Sequence, residues 1–217
     1  SNDMSFTLAT LKTAVQDYLE VSESTFTSQL NNFIEEAEDR IFSMVQLPNQ
    51  RKNVQGTLAS SNRFLATPTD FYAPMSLAVV SSGSYTYLDF KHPSFMREYS
   101  STTATGQPKY YSLFDDTAFE LAPVPDSNYT IELHYLHKPA SLTSGSDSGT
   151  TFLSTDYPDA LLYGTLVEGA VFLKEPPDVV AQYEARFKEA ISRVKNISEG
   201  RATRDEYRYD SLRGSVT

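Results

Sequence analysis

The segment from Ala160 to Leu173 is apolar on almost every side of a helix, and Glu168 is its only charged residue. A helix without a polar face has to be surrounded by other elements, so we expect this one at the centre of a bundle. Gly164 and Gly169 weaken a helix interior, and they predict that a neighbouring element approaches closely at both positions. Pro176-Pro177 should end the helix.

Three further segments carry a single apolar stripe each and can surround the central helix. The first runs from about Thr7 to Val21, and a longer one follows the polar break at Ser22-Glu23-Ser24 and ends near Leu47-Pro48. The last runs from Asp178 to Ser198, and we expect Gly200 to close it. These patterns predict one antiparallel four-helix bundle. The residues expected at its centre are Leu161, Leu166, Ala170 and Leu173.

An acidic run lies on the second predicted helix, mostly off its apolar stripe. It consists of Glu35, Glu36, Glu38 and Asp39. The run has no histidine and lacks the spacing of a calcium loop, so we interpret it as a solvated face. Glu36 and Arg40 are placed as an i, i+4 ion pair.

Between the two pairs of helices, the helical period gives way to short alternating strands. We expect a short helix after His92-Pro93 and a turn at Asp115-Asp116. In the best strand, Tyr129 to His137, odd-numbered residues should face one way and even-numbered residues the other. The remaining strands are expected at Val54–Ala59, Ser76–Val80, Tyr85–Phe90, Tyr110–Phe114 and Thr117–Leu121.

The segment from Ser141 to Thr151 consists almost entirely of Ser, Thr, Gly and Asp. This composition predicts a mobile contact loop that folding does not require.

Together these patterns predict an α+β fold, in which N- and C-terminal helical hairpins form a four-helix bundle and an antiparallel β-rich domain is inserted between them. The expected parts are an N-terminal hairpin at 4–47, the β domain at 48–157, a C-terminal hairpin at 158–200 and an arm at 201–217. The arm has no apolar stripe, so we expect it to be disordered until a partner orders it. Its candidate partner-binding residues are Arg201, Arg204, Tyr207, Arg208, Tyr209 and Arg213.

Composition excludes several classes of protein. The net charge of −10 argues against tight nucleic-acid binding, which needs basic surface. There is no cysteine, and no stretch approaches the roughly 20 apolar residues that span a bilayer. His134 and His137 should point to opposite faces of a strand and cannot share a metal ion. We expect Glu168 to pair with an arginine or to lie at the bundle edge, and we predict no enzyme, no cofactor and no metal site.

Several runs resemble head-to-tail adaptor proteins of short-tailed bacteriophages, and the resemblance covers most of the chain from Met4 onward. These runs are Gly106-Gln-Pro-Lys-Tyr-Tyr111, Leu121-Ala-Pro-Val-Pro125, Tyr135 before a loop, Pro158-Asp-Ala-Leu-Leu-Tyr-Gly164, the helix with Tyr183 and Phe187, and Arg204-Asp-Glu-Tyr207. In that family a helical bundle with a β-rich insertion forms a dodecameric ring beneath the portal. The ring continues the DNA channel and receives the tail nozzle.

The resemblance implies a structural virion protein at the head–tail junction, assembled in the host cytoplasm. Its partners would be the portal protein, the tail nozzle protein and copies of itself, with DNA only in transit and no membrane. The C-terminal segment of such adaptors commonly reaches the portal, which implies a portal or neighbouring-subunit contact for the arm.

Two other classes of protein stay open from the residues. One is a β-rich tail-associated module that binds carbohydrate or a host surface, for which the fourteen tyrosines could supply stacking surfaces. The absence of tryptophan and the flanking helices count against it. The other is a hydrolase with paired carboxylates, which ranks lowest.

Overall fold

The computed structural model describes residues 4–99 and 104–213, with side chains described as far as residue 197. The chain divides into two compact units: Ser1–Pro48 together with Ala140–Thr217, and Asn49–Pro139. The first unit is helical and the second contains the sheets, so the mixed α+β class is confirmed.

The α-helices are α1 (Leu8–Leu19), α2 (Ser24–Thr27), α3 (Leu30–Met44), α4 (Pro93–Tyr99), α5 (Phe152–Asp156), α6 (Pro158–Phe172) and α7 (Pro177–Arg213). Short 3-10 helices lie at Pro48–Gln50 and Leu142–Ser144. All except α4 and the first 3-10 helix belong to the helical unit. The unit therefore differs from four uninterrupted helices, because α5 is additional and the second predicted helix is broken.

The break between α2 and α3 has a local cause. The hydroxyls of Thr27 and Ser28 donate to the backbone carbonyls of Ser24 and Thr25, at 3.4 and 3.3 Å. Such side-chain bonds compete with the helical backbone ladder and favour a helix end. At the start of α1, side-chain hydrogen bonds instead favour the helix, since Thr7 and Thr10 form a capping box that satisfies the first free N–H groups.

Helix α6 is central in its unit, as its composition predicts. It packs against α1, α3, α5 and α7. Leu161, Leu166 and Ala170 are fully buried, whereas Leu173 lies at the C-cap and is only partly buried. The last turn also departs from the prediction, because Val171 is 56% exposed.

Both glycines of α6 lie where a neighbour comes close. A Cβ atom at Gly164 would be 3.1 Å from the Cβ of Ala37 and 3.1 Å from the Phe187 ring. A Cβ atom at Gly169 would be 2.8 Å from Leu19 Cδ1. The predicted close approach is therefore confirmed at both positions, and these contacts account for glycine in a helix interior.

The segment Ser141 to Thr151 is packed, in contrast to the mobile loop that its composition predicts. Leu142 is 2% exposed within the core of the helical unit. The backbone N–H groups of Leu8 and Ala9 donate to the carbonyls of Gly149 and Asp147, at 3.2 and 2.9 Å. The segment thus satisfies donors of the first turn of α1, a role that composition does not reveal. Residues 140–157 belong to the helical unit, not to the β unit.

Helix α7 does not end at Gly200 but continues to Arg213. A glycine in a helix costs only about 1 kcal/mol relative to alanine, and residues 201–206 contain good helix formers and no proline. The expected disordered arm is therefore helical in its backbone from 201 to 213, while its side chains and residues 214–217 lie outside the described part.

The strands of the β unit form two four-stranded sheets and one two-stranded sheet. In chain order they are β1 (Arg51–Leu58), β2 (Phe64–Ala66), β3 (Phe71–Ser81), β4 (Ser84–Tyr87), β5 (Asp89–Phe90), β6 (Thr105–Gly106), β7 (Tyr110–Leu113), β8 (Ala118–Ala122), β9 (Val124–Pro125) and β10 (Tyr129–His137). The first sheet has the order β1-β10-β3-β4, the second β2-β8-β7-β5, and β6 pairs with β9. Pairing is antiparallel except between β5 and β7 and between β6 and β9.

One buried cluster joins the two larger sheets of this unit. Its members are Leu58, Leu77, Val79, Leu88, Tyr111, Phe119, Leu121, Ile131, Leu133 and Tyr135. The predicted bounds of β10 are confirmed. The predicted alternation is confirmed as well, because the odd-numbered residues Ile131, Leu133 and Tyr135 lie in this cluster.

Two predicted strands differ most from the structure, whereas the bounds of three others, Val54–Ala59, Tyr110–Phe114 and Thr117–Leu121, shift by one to three residues. The expected strand Tyr85–Phe90 is divided: β4 pairs in the first sheet and β5 in the second. The change occurs at Leu88, whose N–H donates to Leu77 O, whereas the N–H of Asp89 donates to Lys109 O. Strand β3 begins before Pro74, which pairs with Tyr135 beside a register shift, a position that tolerates the missing N–H.

Candidate assembly surfaces

The histidines have structural partners in the described chain. His92 Nδ1 lies 2.9 Å from Ser94 Oγ in a turn, and His137 Nε2 donates to the Asn49 carbonyl oxygen at 2.8 Å. His134 is on the opposite face of β10 from His137, as predicted. Across residues 4–99 and 104–213, no three His, Cys, Asp or Glu side chains are grouped so that they could hold a metal ion.

Asp115 belongs to the predicted turn. Its carboxylate accepts hydrogen bonds from the Thr117 N–H at 2.8 Å and the Thr117 hydroxyl at 2.7 Å. These bonds, the hydroxyl first, hold the pKa of Asp115 below its usual value. The arrangement is turn chemistry and not a catalytic carboxylate pair.

Arg40 joins α3 to α7 in a way that the sequence spacing did not indicate. Its guanidinium makes two bonds to the Glu184 carboxylate, one of them at 2.8 Å, and lies 4.4 Å from the centre of the Phe187 ring. Glu184 thus replaces Glu36 as the partner of Arg40. A planar guanidinium suits a two-pronged carboxylate contact of this kind.

Glu168 lies beside this ion pair on α6 and is half-buried. Burial raises its pKa, a hydrogen bond with Glu36 raises it further, and the charge of Arg40 counteracts both effects. Glu168 and Glu36 thus form a hydrogen bond between their carboxyl groups beside the Arg40–Glu184 ion pair. This contact is a packing feature of the helices. It is consistent with the expectation that Glu168 pairs with an arginine or lies at the bundle edge.

Glu38 is buried, although it belongs to the acidic run interpreted as a solvated face. Its carboxylate accepts the Ser141 hydroxyl and the Leu142 N–H. Burial raises the pKa of Glu38, and these two hydrogen bonds oppose the rise. The carboxylate holds the segment Ser141 to Thr151 (the 140s segment) against α3. No signal in the sequence identifies this role of Glu38.

Helix α7 is the longest element and carries the predicted partner-binding residues. Its 37 residues correspond to about 55 Å of helix. Phe187, Ala190, Ile191 and Val194 bury one side of it in the helical unit. The side chains of Arg201, Arg204, Tyr207, Arg208, Tyr209 and Arg213 lie outside the described part, so their contacts stay a prediction.

The outer face of the first sheet, turned away from the buried cluster, carries a polar group around Glu132. The Asn53 amide donates to the Glu132 carboxylate, and the Tyr85 hydroxyl donates to it as well. His134 Nε2 lies 3.7 Å from the same carboxylate. The bond from Asn53 is the main cause that lowers the pKa of Glu132. Beside this group, Tyr87 is 58% exposed.

A comparison with protein families matches residues 6–214 to a family described as SU10 adaptor protein. The chain belongs to the SU10 adaptor protein family. The match spans both helical segments and the strands between them, and it confirms the resemblance to phage head-to-tail adaptors. A structural adaptor protein of a bacteriophage virion is therefore supported at the level of the family. A comparison with curated proteins finds no match.

Within residues 4–99 and 104–213, none of the helices combines the length and the apolar character needed to cross a bilayer.

Proposed function

We propose that this SU10-family adaptor forms a ring, a dodecamer by family resemblance, below the portal of a short-tailed phage. The ring extends the DNA channel and attaches the tail nozzle, and the C-terminal part of α7 contacts the portal. The family match supports the adaptor role, and it includes the helices that a carbohydrate-binding module would not need. The observation that carries the portal contact is the continuation of α7 to Arg213.

The length of α7 supports this contact. The helix continues for 19 residues after Val194, from 195 to 213, which corresponds to about 28 Å. Most helical stability in proteins comes from tertiary packing, so a binding surface would stabilise this part of the helix. A preformed helix also loses less conformational entropy on binding than a disordered tail does.

The order of charges along the end of α7 indicates how it could bind. Arg201, Arg204 and Arg208 follow the i, i+3, i+7 spacing that brings residues to one side of a helix. By the same spacing, Glu206 and Asp210 would lie on the other side with Arg213, and Asp205 would lie on the side of the three arginines. Arginine on one side can form directional bonds with acidic groups of a partner, whereas the net charge of the segment alone does not predict this attraction.

The acidic balance of the chain suits passage of DNA through a channel. The net charge of −10 gives a field that repels phosphates and so limits adsorption of the moving genome. Tight DNA binding would be a disadvantage at this position of the virion.

Truncation after Gly200 tests the portal contact. The truncated chain should retain its melting temperature, because the described buried residues of α7 end at Val194. It should fail to co-sediment with the cognate portal. The full chain should co-sediment with portal and form rings visible by negative stain. Equal portal binding by both chains would contradict the proposed contact.

A charge variant tests whether portal binding depends on the arginine side chains or only on the presence of the helix. Replacing Arg201, Arg204 and Arg208 with glutamine should reduce portal binding more than tenfold, since hydrogen bonds to charged groups contribute about 1.5–3 kcal/mol each. The matched control replaces Glu199, Glu206 and Asp210 with glutamine or asparagine, which leaves the arginines in place. If the control loses as much binding as the arginine variant, the contact does not use the arginine side.

A further inference from the structure

The first sheet of the β unit has two strands with an unpaired edge. In the order β1-β10-β3-β4, strand β1 pairs only with β10, and strand β4 pairs only with β3, within residues 4–99 and 104–213. Such an edge presents a row of backbone N–H and C=O groups, which is a template for a further strand. The two edges lie at opposite sides of one sheet.

The edge of β1 lacks two of the features that protect an edge strand, proline and a bulge, and carries charge only at its beginning. It contains no proline, and its eight residues pair with β10 in continuous register without a bulge. Its charged residues are Arg51 and Lys52, both at its beginning. Residues 51–55 and 57 are exposed, so the edge is open to another chain. Natural proteins rarely leave such an edge open unless it has a partner.

We propose that β4 of one copy of this chain pairs with β1 of the next copy, so that the first sheet continues from subunit to subunit. The proposal rests on the ring of the proposed function, and it names one contact that builds it. The even number of strands in the sheet fits this contact, because it makes β1 and β4 run in opposite directions. All neighbours in the sheet are antiparallel, and after four strands the next β1 is again antiparallel to β4.

The occupant is a second copy because the two edges are complementary. Each edge belongs to the same sheet and carries what the other lacks: β4 supplies Tyr85 and Tyr87, and β1 supplies small or polar residues. Aromatic residues opposite threonine or glutamine are favourable cross-strand neighbours. In the antiparallel arrangement, a register with Asn53 opposite Tyr87 would bring Arg51 of β1 opposite Asp89, which follows β4. Both residues are exposed and opposite in charge.

The rows of the sheet define the register of the contact. Gln55, Glu132, Ala78 and Tyr87 form one row across the four strands. If the next copy continues this row, its Gln55 lies opposite Tyr87 of the first copy. A shift by one residue would turn every side chain to the other face and is excluded by the buried cluster, so only even shifts remain.

This contact is head-to-tail, because two different edges meet. Head-to-tail contacts generate a ring when the rotation between copies closes and an open filament when it does not. A self-complementary contact of β1 with β1 would instead give a closed pair and no ring.

Cysteine pairs test the contact directly, because the natural chain contains no cysteine. Opposite residues of antiparallel strands have Cα atoms about 4.5–5.5 Å apart, within the range that a disulfide spans. The variant Gln55→Cys/Tyr87→Cys should form a ladder of disulfide-linked dimers, trimers and larger species under mild oxidation. Asn53→Cys and Thr57→Cys, each combined with Tyr87→Cys, cover the two even shifts.

The matched control is Val54→Cys/Tyr87→Cys. Val54 is a neighbour of Gln55 and exposed, but it belongs to the opposite face of the sheet. It should give no ladder. The single variants should give no linked species either, whereas dimers from Gln55→Cys alone would indicate self-pairing of β1 and overturn the proposal.

A disulfide traps even a sparsely populated contact, so the absence of a ladder from all three even-register pairs also overturns the proposal. The same variants are assayed for co-sedimentation with portal under reducing conditions. A chain that binds portal in rings but yields no ladder refutes the sheet contact and leaves the adaptor function intact. A chain that yields a ladder but does not bind portal supports the sheet contact and contradicts the adaptor function.

Discussion

Glu38 on α3 accepts the backbone N–H of Leu142 at 3.0 Å, although the two residues are 104 positions apart in the chain. The same carboxylate accepts the Ser141 hydroxyl, so one buried acid fixes the start of the segment that leads from the β unit back to the helices. Leu142 is consequently held in the helical core. Removing the acceptor would leave a buried N–H without a partner, which is costly.

Glu38→Ala should destabilise the protein by about 1–3 kcal/mol, the cost of leaving the buried Leu142 N–H unsatisfied. Denaturant unfolding followed by circular dichroism measures this change. Glu35→Ala is the matched control, since Glu35 is exposed and accepts the Thr143 hydroxyl from the same segment. The control should change stability by less than about 0.5 kcal/mol. Equal effects of both variants would mean that Glu38 has no special role.

The stability contribution of Glu38 should depend on pH. Burial raises its pKa above the ordinary 4.5, so the folded state binds a proton more readily than the unfolded state does. This contribution is present in full below the unfolded pKa and declines as the pH rises through the raised folded value. Glu38→Gln keeps an oxygen acceptor and removes the titration. The stability of the natural chain relative to Glu38→Gln should therefore fall as the pH rises above the ordinary glutamate pKa of 4.5. A constant difference would contradict the raised pKa.

Leu166→Ala should lower the free energy of unfolding by about 2–5 kcal/mol, because Leu166 is fully buried on the central helix. Leu166→Asp should give no soluble folded protein, since it places an unpaired charge in the core. On the same helix, Val171→Asp serves as the control, and its exposed position should keep the loss of stability to about 0.5 kcal/mol. Thermal melts of the three variants decide the point, and a cooperatively melting Leu166→Asp protein would refute the central placement.

Gly164→Ala should destabilise the protein in spite of the better helix propensity of alanine. The new Cβ would be 3.1 Å from Ala37 Cβ, which cannot rotate away. Overpacking of this kind costs about 1–3 kcal/mol, against a gain of about 1 kcal/mol in propensity. Gly200→Ala on α7 provides the opposite case and should increase protection of nearby amides in hydrogen exchange. Stabilisation by Gly164→Ala would show that α3 and α6 can move apart at no cost.

The central position of α6 and the two faces of β10 could be predicted from the sequence, because both follow from local periodicity. A segment apolar on all sides has no stable position at a surface, and alternating residues on a strand must face opposite ways. The close approach at Gly164 and Gly169 was predictable for a related reason: glycine is unfavourable in a helix unless space requires it. The family resemblance also rested on local runs, and the family match confirmed it.

Tertiary structure alone decided the features that depend on distant partners. Glu38 and its exposed neighbours in the acidic run look alike in sequence, and only the packing of Ser141 and Leu142 makes one of them a buried acceptor. The polar 140s segment resembles a free loop until α1 offers it unsatisfied N–H groups. The division of Tyr85–Phe90 between two sheets, and the open edges of β1 and β4, follow from strand order. Composition and periodicity act over a few residues, whereas burial, strand order and charge pairing arise between residues tens of positions apart.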